Sequence, residues 1–312
     1  MSDATNRMVF SGDGGVYLRL VTDITLYWRG SMFDHAQGIQ SFYAKALRLI
    51  GSHLKFYRTE SMEGSRPLKA DSLQLLPDWF RKRRGKGKGI YMLSLEGGND
   101  KDEPSEHGFY LLADQEEETR VGAVRLILPS RFMDTGYESV ANLLAEVVEG
   151  FDFDSGHAGF AVNWDPEGEY ENEAASQMLM LAKKYPGIDL NCMDSTIIAL
   201  QHSGAPAIKC VNWLTLMGKG LQQRLPALEE VRKELGSVCP VHELPGCWVI
   251  QAGPSPALGY PDKDEMTPYR RAGSLLASLR LQRHPAIFAE SDPGYGTGEW
   301  LARFDGHAGS AM

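Results

Sequence analysis

Cysteine is scarce: Cys192, Cys210, Cys239 and Cys247 are the only four in 312 residues, and none forms a C-x-x-C pair. That is too thin a framework for a secreted protein built on disulfides. The first residues, MSDATNRMVFSGDGG, hold no basic segment leading into an apolar one, so no export signal is expected. No run of about 18 apolar residues occurs, and no transmembrane helix is expected. A reducing cytoplasm is the expected location. Positive charge is also short. Lys plus Arg number 32 against 41 Asp plus Glu, a formal net charge of −9. That balance disfavours a general binder of nucleic acid or anionic membrane and suits a basic partner.

The usual catalytic signatures are missing too. There is no H-E-x-x-H, no G-x-S-x-G and no G-x-x-x-x-G-K-[ST]. No Asp or Glu has a Lys two residues later, which removes the D/E-x-K step of a nuclease core. GYGTG, Gly294 to Gly298, follows no convincing strand and lacks the third spacing of a dinucleotide loop. No cofactor is expected.

What is present is ordinary globular material, 43% hydrophobic and 23% charged, enough for a sizeable core. VYLRLVTDITLYW alternates. Val16, Leu18, Leu20, Ile24, Leu26 and Trp28 share one parity, while Arg19, Asp23, Thr25 and Tyr27 fall on the other. This predicts a long strand with one face in the core. Ile39, Phe42, Tyr43, Ala46, Leu47 and Ile50 recur at three and four and predict an amphipathic helix ending near Gly51. GIYMLSLEGG, HGFYLLADQ and TRVGAVRLILPS read as strands whose links are too short for helical crossovers, hence an antiparallel meander. Helices are expected in YESVANLLAEVVEGF, EAASQMLMLAKKYPG, LPALEEVRKEL and TPYRRAGSLLASLRL, and strands in HAGFAVNW, AIKCVNWLTL and CWVIQAG. The fold class is therefore α+β: a largely antiparallel β-sheet with several amphipathic helices packed on it. Trp28, Trp164, Trp213 and Trp248 each sit in a strand-like run and are expected in the core.

Four features bear on function. RKRRGKGKG, Arg81 to Gly89, reads as a solvated corner: cations close the last turn of a short helix around Trp79, then glycines turn into a strand. A nucleic-acid contact is the alternative. Asp152, Asp154 and His157 could hold a divalent ion or act as acid and base. Cys239, His242 and Cys247 stand as C-x₂-H-x₄-C and could bind zinc. Turn chemistry and a buried cysteine are the plainer accounts of these two groups. The fourth feature is acid without catalytic geometry. Asp165, Glu167, Glu169, Glu171 and Glu173 occupy every second position, Asp114, Glu116, Glu117 and Glu118 crowd another loop, and Asp100, Asp102, Glu103 and Glu106 a third. The first two groups are taken as the candidate partner-binding residues, since acidic patches speed and orient association with a basic partner.

QSFYAKALRLIGSHLKFYRTES, HAGFAVNW, KKYPGIDL, VNWLTLMG and WVIQAGPSPALGYP followed by YRRAG come in an order that resembles the type VI secretion immunity family, long catalogued as a domain of unknown function. The matching points are Leu54 to Tyr57, Lys184 to Asp189, Asn212 to Thr215, and Gln251 to Gly259 with Pro254 as the first proline. The resemblance implies one α+β domain over 15–282, or two packed halves of 15–165 and 166–282, with 283–312 a Gly- and Pro-rich tail. It further implies an inhibitor, not an enzyme, that binds a cognate toxin, a cytoplasm-acting nuclease with a basic surface. A homodimer is left open. A metal-dependent enzyme or zinc protein is the alternative.

Overall fold

The alternation along VYLRLVTDITLYW appears as a fifteen-residue strand in the computed structural model, which describes residues 8–13, 15–82, 89–115, 119–164, 170–260, 264–288 and 295–306. In chain order the strands are β1 (Val9–Gly12), β2 (Gly15–Arg29), β3 (Phe56–Thr59), β4 (Arg66–Pro67), β5 (Ile90–Glu96), β6 (Gly108–Asp114), β7 (Val121–Pro129), β8 (Ser155–Trp164), β9 (Asp189–Leu190), β10 (Leu214–Gly218), β11 (Val241–Leu244) and β12 (Cys247–Gln251). They form one sheet in the order β11-β12-β10-β8-β2-β7-β6-β5-β3-β4, with β1 on β2 and β9 on β8. Every pairing is antiparallel except that of β8 with β9. The architecture is α+β, as the alternation and the short links imply. Strands of the first half lie on one side of β2 and those of the second half on the other.

The helices are α1 (Ala36–Ile50), α2 (Leu75–Lys82), α3 (Tyr137–Val148), α4 (Glu171–Lys184), α5 (Met193–His202), α6 (Lys219–Gln222), α7 (Leu228–Leu235), α8 (Thr267–Leu276) and α9 (Thr297–Leu301). α1 buries Ile39, Phe42, Tyr43, Ala46 and Ile50 against the even-numbered face of β2 and its neighbours, as its three-and-four spacing requires. α3 adds Val140, Leu143, Leu144, Val147 and Val148 to the same core. Trp28 is fully buried there, with Gly122 opposite it on β7. A Cβ on Gly122 would lie 2.3 Å from Cζ2 of the indole, so the ring lies flat on bare backbone.

Three features depart from the sequence reading. β2 is covered on both faces: Asp23 and Thr25 are fully buried and Tyr27 nearly so. AIKCVNWLTL is extended only at its end, since 207–213 runs as irregular chain and the strand starts at Leu214. α5 was not expected at all, and it closes the odd-numbered face, its Met193, Ile197 and Leu200 packing with Tyr27, Val121 and Ala123. Near the C-terminal end of the described residues Trp300 and Phe304 are buried, and the Phe304 ring lies tilted against Tyr269 of α8 with centroids 5.2 Å apart. Trp28 and Trp213 are in the core, while Trp164 and Trp248 are half-buried.

Candidate functional site

The odd-numbered face of β2 carries the densest chemistry. Register sets Thr25 opposite His157 on β8 and Arg125 on β7, with Asp23 one pleat away. Asp23 accepts from Arg125 Nε, from Asn191 Nδ2 at 3.0 Å and from Thr25 Oγ1 at 2.5 Å. Arg125 continues to Asn163 Oδ1 at 3.1 Å, and Asn163 Nδ2 donates to the Ser105 carbonyl at 2.8 Å. On the other side, Lys209 Nζ donates to both Asp189 oxygens, at 3.1 and 3.0 Å, and to the Leu190 carbonyl at 2.6 Å. His157 Nε2 bridges the two halves, 3.3 Å from Asp189 and 3.6 Å from Asp23. These are ion-pair contacts, not well-aligned hydrogen bonds.

Two carboxylates thus face one guanidinium, one ammonium and one imidazole, all out of solvent. Burial opposes every charge in the set, but the neighbours outweigh it. Burial would raise Asp23, yet Arg125 and His157 hold it well below the usual carboxylate range. Asp189 is held down in the same way by Lys209 and His157. Burial would lower His157, and Asp189 with Asp23 raise it. Buried charges persist only when paired and hydrogen-bonded, and this set meets that condition. It is sealed within the sheet and acts as a fastening between distant parts of the chain.

The sequence candidates are dispersed. His157 belongs to this network, but Asp154 turns to Arg29 at 3.4 Å, so Asp152, Asp154 and His157 make no common site. Asp154 is raised, by burial first, with Arg29 opposing. Cys239 donates to the Pro268 carbonyl at 3.0 Å, while His242 meets Gln251 Oε1 at 2.8 Å. Cys247 is buried in β12, and burial pushes its thiol up to about 12. Among the described residues no group of three or more His, Cys, Asp or Glu is placed to hold a metal. Arg81 and Lys82 both pair with Asp78 inside α2 and stay exposed; the rest of the cationic run, 83–88, lies outside the described residues.

Asp165, Glu167 and Glu169, and Glu116, Glu117 and Glu118, also lie outside the described residues. Their described companions sit at opposite ends of the sheet. Glu171 and Glu173 open α4, beyond Trp164, which faces Leu18 at the start of β2. Asp114 ends β6 opposite Val121, and Val121 faces Arg29 at the end of β2. A rise of about 3.3 Å per residue separates Leu18 from Arg29 by about 35 Å. Asp114 also accepts from Gln201 on α5 at 2.8 Å. The third acidic loop, 97–107, joins the first group's end: Glu103 pairs with Arg19, and Ser105 binds Asn163.

The sheet, its buried network and the acidic strand ends can be set beside known proteins. A family profile described as TsiV, type VI immunity for VRR-NUC, matches residues 38–304. The chain belongs to the TsiV family. This TsiV protein is thereby a type VI immunity protein, as the ordered motifs imply. Its profile match extends through Trp300 and Phe304, the buried residues near the C-terminus. Among solved structures it is similar to the Pseudomonas aeruginosa T6SS protein PA0821, with a TM-score of 0.80 at 17% identity over 98% of this chain and 90% of that one. That likeness concerns the fold. No curated protein sequence matches this TsiV chain. No helix among its described residues is long and apolar enough to cross a membrane.

The buried charged residues that sequence reading missed are Asp23, Arg125, Asp189 and Lys209 as a set. Asp23 stood in the strand pattern and Asp189 in the KYPGID motif, but no local spacing joins them. The available signal was that a charged residue interrupts a strand rich enough in apolar residues to be central.

Proposed function

We propose that this protein neutralises its toxin by stoichiometric binding, without chemistry of its own, and that the toxin is a nuclease of the VRR-NUC class acting in the cytoplasm. The family match carries the reading, because its description pairs the immunity protein with VRR-NUC. The net charge of −9 supports it, since a nuclease must present a basic surface to hold nucleic acid. The chemistry-bearing side chains support it too: the strongest cluster is buried, charge-paired and closed to any substrate. The acidic residues at the strand ends, Asp114 together with Glu171 and Glu173, are the proposed steering groups.

The test is a titration. Purified toxin nuclease activity is followed as the immunity protein is added. Activity should fall linearly to zero at a fixed molar ratio near one, with a complex of matching stoichiometry on gel filtration. Loss of activity at a few hundredths of an equivalent, growing with time, would instead mark this protein as an enzyme that modifies its target. Elemental analysis of the same preparation addresses the zinc alternative directly.

A further inference from the structure

Two imidazoles lie face to face where the third acidic loop joins the sheet. The 3₁₀ turn Gly51–His53, which follows α1, ends on His53, and the β5–β6 loop, 97–107, ends on His107. Their ring centroids are 4.0 Å apart and their planes differ by 7°. His53 is exposed and His107 half-buried.

The backbone around the pair is tightly tied. Lys55 N donates to the Glu96 carbonyl at 2.7 Å, and Gly97 N to the His107 carbonyl at 3.0 Å. Gly97 passes so close to the His53 carbonyl that a Cβ there would collide with it. Ser105 Oγ accepts from the amides of Gly97 and His107, at 3.0 and 2.9 Å, and donates to the His107 carbonyl at 2.7 Å. The Ser105 carbonyl accepts from Asn163, the residue that meets Arg125. The stack therefore stands at the point where the loop is fastened.

Parallel stacking suits neutral rings, whereas two imidazolium rings at this separation repel. The neighbouring charges do not relieve that repulsion. Glu106 is the acid facing His107, and Arg131 holds it at 3.2 Å. Arg19 also faces His107 and is itself held by Glu103, while the turn 51–53 adds no charge besides His53. Burial first, then His53, lowers His107 below 6.5; Arg131 and Arg19 act the same way, and Glu106 opposes them. A histidine that takes its proton less readily in the closed loop than in an open one favours closure above pH 6.5, and that contribution is lost as pH falls below it. The sense is opposite to that of His157.

We infer that the stacked pair His53 and His107 is an acid-sensitive latch, which fastens the acidic loop 97–107 to the sheet while both rings are neutral and releases it when both take up protons. The inference goes beyond the binding reading above and does not depend on it. The loop carries Asp100, Asp102, Glu103 and Glu106, so two protons alter how four carboxylates are presented.

Amide hydrogen exchange on the full chain tests the latch. Corrected for the intrinsic exchange rate, protection at the Gly97 and His107 amides should fall at least about 3-fold between about pH 7.5 and about pH 5.5, while Thr25 in β2 keeps its protection. His53→Phe together with His107→Phe retains two rings that can stack and removes both charges, so the fall should shrink to less than about 1.5-fold. In His53→Phe alone, the midpoint of the His107 ring titration, followed by NMR, should rise by at least about 0.3 pH unit. An equal fall in the doubly substituted chain would assign the response to the carboxylates and overturn the inference. Loss of protection at Thr25 in step with Gly97 would mean that the whole sheet loosens, and would overturn it too. Should the substituted chains fail to fold, the wild type decides alone: a His107 midpoint at the ordinary 6.5 with pH-independent loop protection refutes the latch.

Discussion

Replacing Lys209 with methionine isolates one arm of the buried network. Methionine keeps an unbranched stem of similar length, so the change removes the ammonium and little volume. All three ammonium protons are engaged in the wild type, two by Asp189 and one by the Leu190 carbonyl. Both Lys209 and Asp189 are essentially inaccessible to solvent. Without Lys209, Asp189 keeps His157 at 3.3 Å and the weak Cys210 thiol donor at 3.6 Å, and the Leu190 carbonyl loses its ammonium donor. Breaking a buried pair from one side costs about 3–5 kcal/mol. With a urea slope of about 3 kcal/mol per molar, the unfolding midpoint should fall by about 1–1.7 M. The pH dependence should change as well. Asp189 is held below its ordinary value of 3.8, so its stabilisation is present above that pH and is lost as the pH falls towards the folded-state value. Lys209→Met raises that folded-state value and flattens the acid limb. Adding Asp189→Leu should recover part of the loss, because an apolar pair of similar volume replaces a stranded charge. Equilibrium urea titrations from pH 3 to 7 measure all three quantities. A loss under about 1 kcal/mol for Lys209→Met, or a double variant weaker than the single one by the full cost of a second independent lesion, would refute the claim that this pair fastens the sheet.

Two further outcomes follow from the same structure. His157 is raised above 6.5 by Asp189 and Asp23, so its stabilisation is full below that pH and is lost as pH rises through the folded-state value; His157→Gln should flatten the decline of the urea midpoint above pH 6.5, and an unchanged slope would contradict it. Gly122→Ala puts a methyl 2.3 Å from the Trp28 indole and should cost about 1–3 kcal/mol, accompanied by a changed near-ultraviolet circular dichroism signal; an unaltered melt would mean the ring can shift at no cost.

Periodicity made the scaffold legible where one face of an element is apolar. The alternation of Leu18, Leu20, Ile24, Leu26 and Trp28 located β2, and Ile39, Phe42, Tyr43, Ala46 and Ile50 located α1, because each pattern matches a single buried stripe. The meander β5-β6-β7 followed from strand runs with short links. α5 escaped because Thr196, Ile197 and Ile198 are β-branched and its apolar residues do not form a clean stripe. The irregular 207–213 imitated a strand because Ile208, Cys210, Val211 and Trp213 are all buried although the chain there is not extended. The ionic network was illegible for another reason: Asp23 and Asn191 are 168 residues apart, and no local spacing encodes their 3.0 Å hydrogen bond.

The same long-range arrangement governs when the protein becomes available to the cell. β2 is synthesised first among the long strands, yet its two neighbours are 121–129 and 155–164, and its buried aspartate waits for side chains at 125, 157 and 191. Trp300, which stacks against Lys209, arrives last of all. A nascent chain halted at its midpoint has Arg125 to pair with Asp23 but lacks β8, His157 and Asn191, so the network closes only after later segments are made, and topologies dominated by such distant pairings close slowly. Protection is therefore conferred by the finished molecules already standing when a toxin arrives, not by those still leaving the ribosome.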